Sequence, residues 1–143
     1  MKKYILFDHD GVLVDTEFWY YKAGERALAD VGLTLDKDQY LWDMKRHIRQ
    51  FMDFVLVRED YERAKPHPEP YLSGLKRFGA VREETLVVED SPRGLMSAVA
   101  AGVDCAIVHN DFVQSADFSE ASYRIGALIE LRDIVVGETV LSD

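Results

Sequence analysis

The run Tyr4-Ile5-Leu6-Phe7 stops abruptly at Asp8-His9-Asp10-Gly11. A compact apolar stretch over residues 3–8 that ends in acids is the mark of a buried strand delivering a polar tip. Three further runs share that character: Phe54 to Val57, Thr85 to Glu89 and Cys105 to His109. A short fifth strand is expected at Tyr123 to Ile125. Helical patterns lie between them. Ser91 and Pro92 provide an N-cap and a first-turn proline for a helix that runs to Ala101 and stops at Gly102. Residues 68–78 repeat the scheme with Gly79 as the stop. Residues 17–31 form a third helix closed by Gly32, and Ala127 to Val136 a last amphipathic one. Alternation of strand and helix predicts an α/β fold with a parallel sheet covered on both faces.

The chain of 143 residues is long enough for one domain with a real hydrophobic core, and its 48% apolar and 30% charged residues fit an ordinary globular protein. Its formal net charge of −9 argues against nucleic acid as a partner, since a phosphate backbone calls for clustered Lys and Arg. A small phosphorylated ligand remains compatible, because a bound cation reverses the local field. Cys105, the single cysteine, lies in an apolar run and reads as a reduced core residue. The opening Met1-Lys2-Lys3-Tyr4 leads straight into Asp8, too short an apolar stretch for a secretory or membrane segment, so the expected location is cytoplasmic and no membrane partner is expected.

Ligands of an open parallel sheet bind beyond the carboxyl ends of its strands. Asp8 and Asp10 follow the first strand, and Glu89 and Asp90 follow the third run. Carboxylates gathered at one edge repel each other unless a cation sits among them, and hard oxygen donors suit Mg²⁺. Taken singly, each pair is equally well a solvated acidic loop. Gly11 lets backbone approach a ligand closely. Lys65, stiffened by Pro66-His67-Pro68-Glu69-Pro70, is either an ordinary surface lysine or a cation held against the acids. His9, His47, His67 and His109 share no metal-ligand spacing and are read as structural or solvated. The aromatic run Phe18-Trp19-Tyr20-Tyr21 lacks a basic patch and is read as packing rather than base stacking.

Phe7-Asp8-His9-Asp10-Gly11-Val12-Leu13-Val14-Asp15-Thr16-Glu17 resembles the first motif of the haloacid dehalogenase superfamily, in the branch of β-phosphoglucomutases and small sugar-phosphate or phosphoglycolate phosphatases. Lys65-Pro66-His67-Pro68-Glu69-Pro70-Tyr71 is similar to the third motif, and Val87-Val88-Glu89-Asp90-Ser91-Pro92-Arg93-Gly94 to the fourth. The resemblance implies a Rossmann-like sheet flanked by helices and a Mg²⁺-dependent phosphatase acting on a small phosphorylated metabolite. It makes Asp8 the nucleophile that becomes an aspartyl-phosphate, and Asp10 the general acid and then base. Lys65 would offset charge on the nucleophile and phosphoryl group. Mg²⁺ would be held by Asp8, the Asp10 carbonyl, Glu89 and Asp90. The acid at position 10 favours phosphate chemistry over dehalogenation.

The same resemblance exposes a gap. Members of the branch insert a helical cap after the first motif, then a core helix and a strand ending in a Ser or Thr that binds the phosphoryl group. No such strand lies between Glu17 and Lys65. Residues 17–44 look like the start of a cap and Lys45 to Phe54 like the end of the following helix. The chain is therefore expected to be a single core domain, residues 1–143, carrying a cap remnant and lacking one core strand. Removing a strand leaves backbone groups unpaired at about 1–3 kcal/mol each if buried and opens sheet edges. Self-association through the cap remnant, with Phe18, Trp19 and Trp42, or through a sheet edge is the corresponding expectation. Losing the hydroxyl would cost on the order of 10²–10³ in rate, so reduced activity is expected. The alternatives are a non-catalytic remnant that folds and binds Mg²⁺, and a β-phosphoglucomutase, which would need the cap. A phosphorelay receiver domain would carry its acceptor Asp on a middle strand, unlike Asp8.

Overall fold

Strands β1 (Tyr4–Phe7), β2 (Thr85–Glu89), β3 (Asp104–Val108) and β4 (Tyr123–Ile125) form one parallel sheet in the order β1-β2-β3-β4. The computed structural model describes residues 1–8, 12, 25, 26, 29, 30, 32, 34, 36, 51–109 and 116–137. The chain divides into two compact units, one made of Met1–Leu13 with Leu56–Asp143 and the other of Val14–Val55. The sheet belongs to the first.

All five residues of β2 are buried, because this strand has a paired neighbour on each side and a covered face above and below. Its alternate side chains feed two cores. Val87 joins Tyr71, Leu75, Leu95, Ala98 and Cys105 under helices α1 (Glu69–Phe78) and α2 (Pro92–Ala101). Leu86 and Val88 join Val12, Ala106, Ile125 and Leu131 on the opposite face, where α3 (Leu131–Val136) packs. The period-2 alternation of a strand thus explains why an unbroken apolar run is needed here. Gly74 brings α1 close to β1, since a Cβ at that position would meet Leu6 Cδ1 at 3.1 Å.

The register places Phe7 beside Val88 and Glu89 beside Ile107, so β1, β2 and β3 end on a common edge. The Asp8 amide continues the ladder by donating to the Val88 carbonyl at 2.9 Å. Below the sheet's other end, buried Lys2 donates to the Glu83 carbonyl at 2.9 Å and to Asp104 Oδ2 at 2.7 Å, tying the strand starts together.

The strands at 85–89 and 123–125 and the two glycine-stopped helices match the sequence expectations, and β1 and β3 differ from them by a residue at one or both ends. Two expectations need correction. Phe54 to Val57 is not a strand: the Val57 amide donates to Asp60 Oδ2 at 2.7 Å and its carbonyl accepts from the Asp60 amide at 2.9 Å. These groups close a 3₁₀ turn at Arg58–Asp60 instead of entering a ladder. The tail is a 3₁₀ turn at Leu128–Glu130 followed by the six-residue α3, rather than one helix from Ala127. There Glu130 Oε1 accepts from the Gly126 and Ala127 amides, at 2.8 Å each, which favours a tight first turn.

In the second unit Glu25, Arg26 and Ala29 are helical and Gly32 has φ +76°, in keeping with a helix closed there. The remainder of the expected 17–31 helix, most of the 17–44 segment with its aromatic residues, His9 and His47 lie outside the described residues. Cys105 is a buried free thiol, pushed up to about 12 by burial and by the Glu89 charge. Among the described residues no helix is long and apolar enough to cross a membrane.

Leu86, wholly buried at the centre of the sheet, is expected to cost about 3 kcal/mol on truncation to alanine. Ile129, 77% exposed, should cost under about 0.5 kcal/mol. Urea denaturation of the two variants checks the contrast.

Candidate active site

Adjacent parallel strands bring Asp8 at the end of β1 next to Glu89 and Asp90 at the end of β2. One carboxylate oxygen of each lies within 4.8 Å of the others. Lys65 enters from the segment before α1, where the Lys65–Pro66 peptide is cis. Its Nζ donates to Asp8 Oδ1 at 2.6 Å and also to Glu89 Oε1. The ammonium thus bridges the two strand ends. Asp10, the other expected site residue, lies outside the described residues.

Glu89 is the most deeply placed of these groups, with no exposed surface. Both of its oxygens are engaged. Oε1 accepts from Lys65 Nζ and from the Tyr71 hydroxyl; Oε2 accepts from the Asp90 amide at 3.3 Å and from Ser91 Oγ at 3.2 Å. Ser91 caps α2 as its sequence position predicts, accepting from the Gly94 amide at 3.1 Å, and with the same oxygen steadies Glu89. Gly94 is required by this arrangement, because a Cβ there would fall 1.8 Å from Glu89 Cδ.

Helix α2 also fixes the lysine segment. Arg93 Nη2 donates to the Lys65 carbonyl, and the buried Ser97 donates through Oγ to the His67 carbonyl at 2.7 Å. Upstream, Glu69 accepts the Glu62 amide at 2.7 Å and the Arg63 amide at 3.2 Å. These bonds hold the Glu69 carboxyl below its ordinary range and fold the chain back before Lys65. A lysine loop with its carbonyls and preceding amides bonded in this way is preorganised rather than free to swing.

The electrostatics follow from burial. Desolvation pulls the Lys65 ammonium down, but the charges of Glu89 and Asp8 outweigh it, so the group sits above the ordinary lysine value and stays charged. Desolvation pushes Glu89 up, and repulsion from Asp8 adds to this, against the opposing effects of Lys65 and Tyr71. The Tyr71 phenol is raised first by burial and then by the Glu89 charge, so it remains protonated and serves as a donor. Among Asp8, Glu89, Asp90 and Lys65, three carboxylates against one ammonium leave two negative charges. A divalent ion with hard-oxygen preference would neutralise them, and Mg²⁺ fits that donor set.

Three of the sequence-derived site residues, Asp8, Glu89 and Asp90, meet at one strand edge, and Lys65 joins them. Tyr71 had no assigned role. The signal for it is a buried helix position carrying a phenol, which demands a hydrogen-bond partner, six residues after Lys65.

The family profile described as haloacid dehalogenase-like hydrolase matches residues 43–108. The chain is 32% identical over 117 residues to the putative phosphatase YhcW of Bacillus subtilis, spanning 78% of this chain and 52% of that protein. This chain is similar to the haloacid dehalogenase-like hydrolases. A crystal structure of a subfamily IA member from Geobacter sulfurreducens superposes with a TM-score of 0.56 at 31% identity, over 68% of this chain and 42% of that one. The β-phosphoglucomutase of Clostridium difficile gives a TM-score of 0.65 over 96% of both chains, but at 15% identity it bears on the fold alone. The chain spans about half the length of the curated relatives it matches, 52% and 41% for two of them.

Replacing Lys65 with methionine strands the Glu89 carboxylate without its counter-charge and is expected to cost about 3 kcal/mol of stability at pH 7 in metal-free buffer. With Lys65 gone, the folded-state pKa of Glu89 lies further above its unfolded value. The penalty is therefore fully present when the carboxyl is ionised and shrinks as pH falls and the folded carboxyl takes up a proton. Urea melts of wild type and Lys65→Met at pH 7 and pH 5 should show the difference narrowing at the lower pH.

Proposed function

We propose that this hydrolase is a Mg²⁺-dependent phosphatase that works through an aspartyl-phosphate on Asp8. The observation that carries the reading is the Lys65 ammonium, 2.6 Å from Asp8 Oδ1 and paired with buried Glu89, at the edge where three carboxylates converge. Phosphoryl transfer needs little covalent chemistry from a protein beyond positioning and charge compensation, and this constellation offers both. The name of the related Bacillus subtilis protein, a putative phosphatase, agrees with it.

In this reading one Asp8 oxygen attacks phosphorus while Lys65 stays bonded to the carboxylate, restraining its rotation and facing the charge of the phosphoryl oxygens. Asp10 protonates the leaving oxygen and later takes a proton from the water that cleaves the aspartyl-phosphate. Asp8, Asp90 and Glu89, with the Asp10 carbonyl, are the groups that would hold Mg²⁺, whose chemistry is to shield the phosphoryl charge and orient its oxygens. Glu89 already accepts from four donors, so a direct bond from it to the ion would displace one of them. The substrate class is a small phosphomonoester.

The compact unit Val14–Val55 contains residues 17–44, which we read as a shortened cap. The family match beginning at residue 43 supports a junction near Met44/Lys45. In the described sheet β1 is an edge strand, the place where a strand bearing the second-motif hydroxyl would pair. A site without that hydroxyl would turn over slowly, and the β1 edge and cap remnant would favour self-association, in a protein we place in the cytoplasm.

Hydrolysis of an aryl phosphate is expected to require Mg²⁺ and to fall at least about 10³-fold in Asp8→Asn. Activity that survives in Asp8→Asn, or that is equal with chelator present, would overturn the proposal.

A further inference from the structure

Tyr71 touches both members of the Lys65–Glu89 pair. Its hydroxyl donates to Glu89 Oε1, the oxygen that also receives Lys65 Nζ. Its ring lies beneath the same ammonium, with Nζ 5.1 Å from the ring centroid, within the range of a cation–π contact. The rest of the side chain is core: Tyr71 is 5% exposed and clusters with Leu75, Val87 and Leu95. For that packing a phenylalanine would do as well, and without the burden of burying a hydroxyl. The hydroxyl therefore has its reason in Glu89 rather than in the core.

The consequence for Lys65 is geometric. A lysine has four rotatable bonds and three donors, and an ammonium between two carboxylates can drift towards either. The phenol occupies one acceptor direction of Glu89 Oε1 and the ring lies against the ammonium, so that with Glu89 Oε1 shared, Asp8 Oδ1 is the ammonium's other carboxylate partner. Helix α1 carries Tyr71 two residues after Glu69, so one element braces the loop before the lysine and touches the lysine's tip, while α2 holds the Lys65 carbonyl through Arg93.

We infer that Tyr71 is a positioning residue that aims Lys65 at Asp8 and orients the Glu89 carboxylate, using its hydroxyl for Glu89 and its ring for the ammonium. As a role in turnover this rests on the phosphatase reading above; as a role in placing Lys65 it does not.

The test compares wild type, Tyr71→Phe and Tyr71→Leu by two readouts. The first is the Lys65 ammonium resonance in protein labelled with ¹⁵N-lysine, assigned by its absence in Lys65→Arg. Wild type should show a slowly exchanging Lys65 signal, Tyr71→Phe a shifted and faster-exchanging one, and Tyr71→Leu none. The second is aryl phosphate kinetics. Tyr71→Phe should lower kcat about tenfold with KM within about twofold, the signature of a lost transition-state alignment rather than lost binding. Urea melts of each variant separate unfolding from misplacement: Tyr71→Phe should remain folded, since the ring still fills the core. A Lys65 signal unchanged in Tyr71→Phe, or absent already in wild type, would overturn the inference. An altered signal with no Asp8-dependent turnover in wild type would uphold the positioning of Lys65 and sink the phosphatase reading instead.

Discussion

A single ammonium group makes the strand edge tenable. Asp8 and Glu89 end neighbouring strands whose spacing is set by the backbone ladder, and Glu89 is wholly enclosed. Two carboxylates so placed repel, and an enclosed one loses its hydration. Lys65 bonded to both relieves the repulsion and supplies Glu89 with a counter-charge where water cannot. Such pairs add little net stability over an apolar replacement, yet losing one partner is expensive, because the other is left charged and dry. The interaction is therefore better understood as a constraint on geometry than as a source of stability.

Much of the surrounding structure serves that constraint. Helix α2 begins with Ser91 against Glu89, continues with Arg93 on the Lys65 carbonyl, thins at Gly94 to make room for the Glu89 side chain, and reaches His67 through Ser97. Helix α1 contributes Glu69 to the loop before the lysine and Tyr71 to the pair itself. Both helices pack on one face of the sheet through Leu75, Leu95 and Ala98, so the apolar core sets the distance between the parts of the polar network. Fixed dipoles and charges of this kind suit phosphoryl chemistry, where the work is to stabilise charge rather than to form unusual bonds.

The sheet was readable from the sequence where its strands are buried on both sides. Thr85 to Val88 is an unbroken β-branched and apolar run because each of its faces is covered. The glycines at 79 and 102 stop their helices in the left-handed region, as their place after periodic segments suggested. Phe54 to Val57 misled because four apolar residues carry no information about partners, and the Asp60 carboxylate offers their backbone a local alternative. The Leu128–Glu130 turn was hidden in the same way: Glu130 bonds amides four and three residues before it, and that competition with the helix is invisible to hydrophobic periodicity.

The sequence alone determined which side chains carry charge at the strand ends, that an acid pair and a lysine segment precede helices, and so the family it resembles and the site's chemical character. Those are local facts, written in strand tips, caps and motif spacing. Only the tertiary structure decided that Lys65 bridges Asp8 and Glu89, that Gly94 exists to clear the Glu89 carboxylate, and that Tyr71 shares its hydroxyl and ring between the two charges. These depend on contacts across 57, 24 and 18 residues of chain. Such contacts are set by how two helices settle on the sheet, and no residue signals them in isolation.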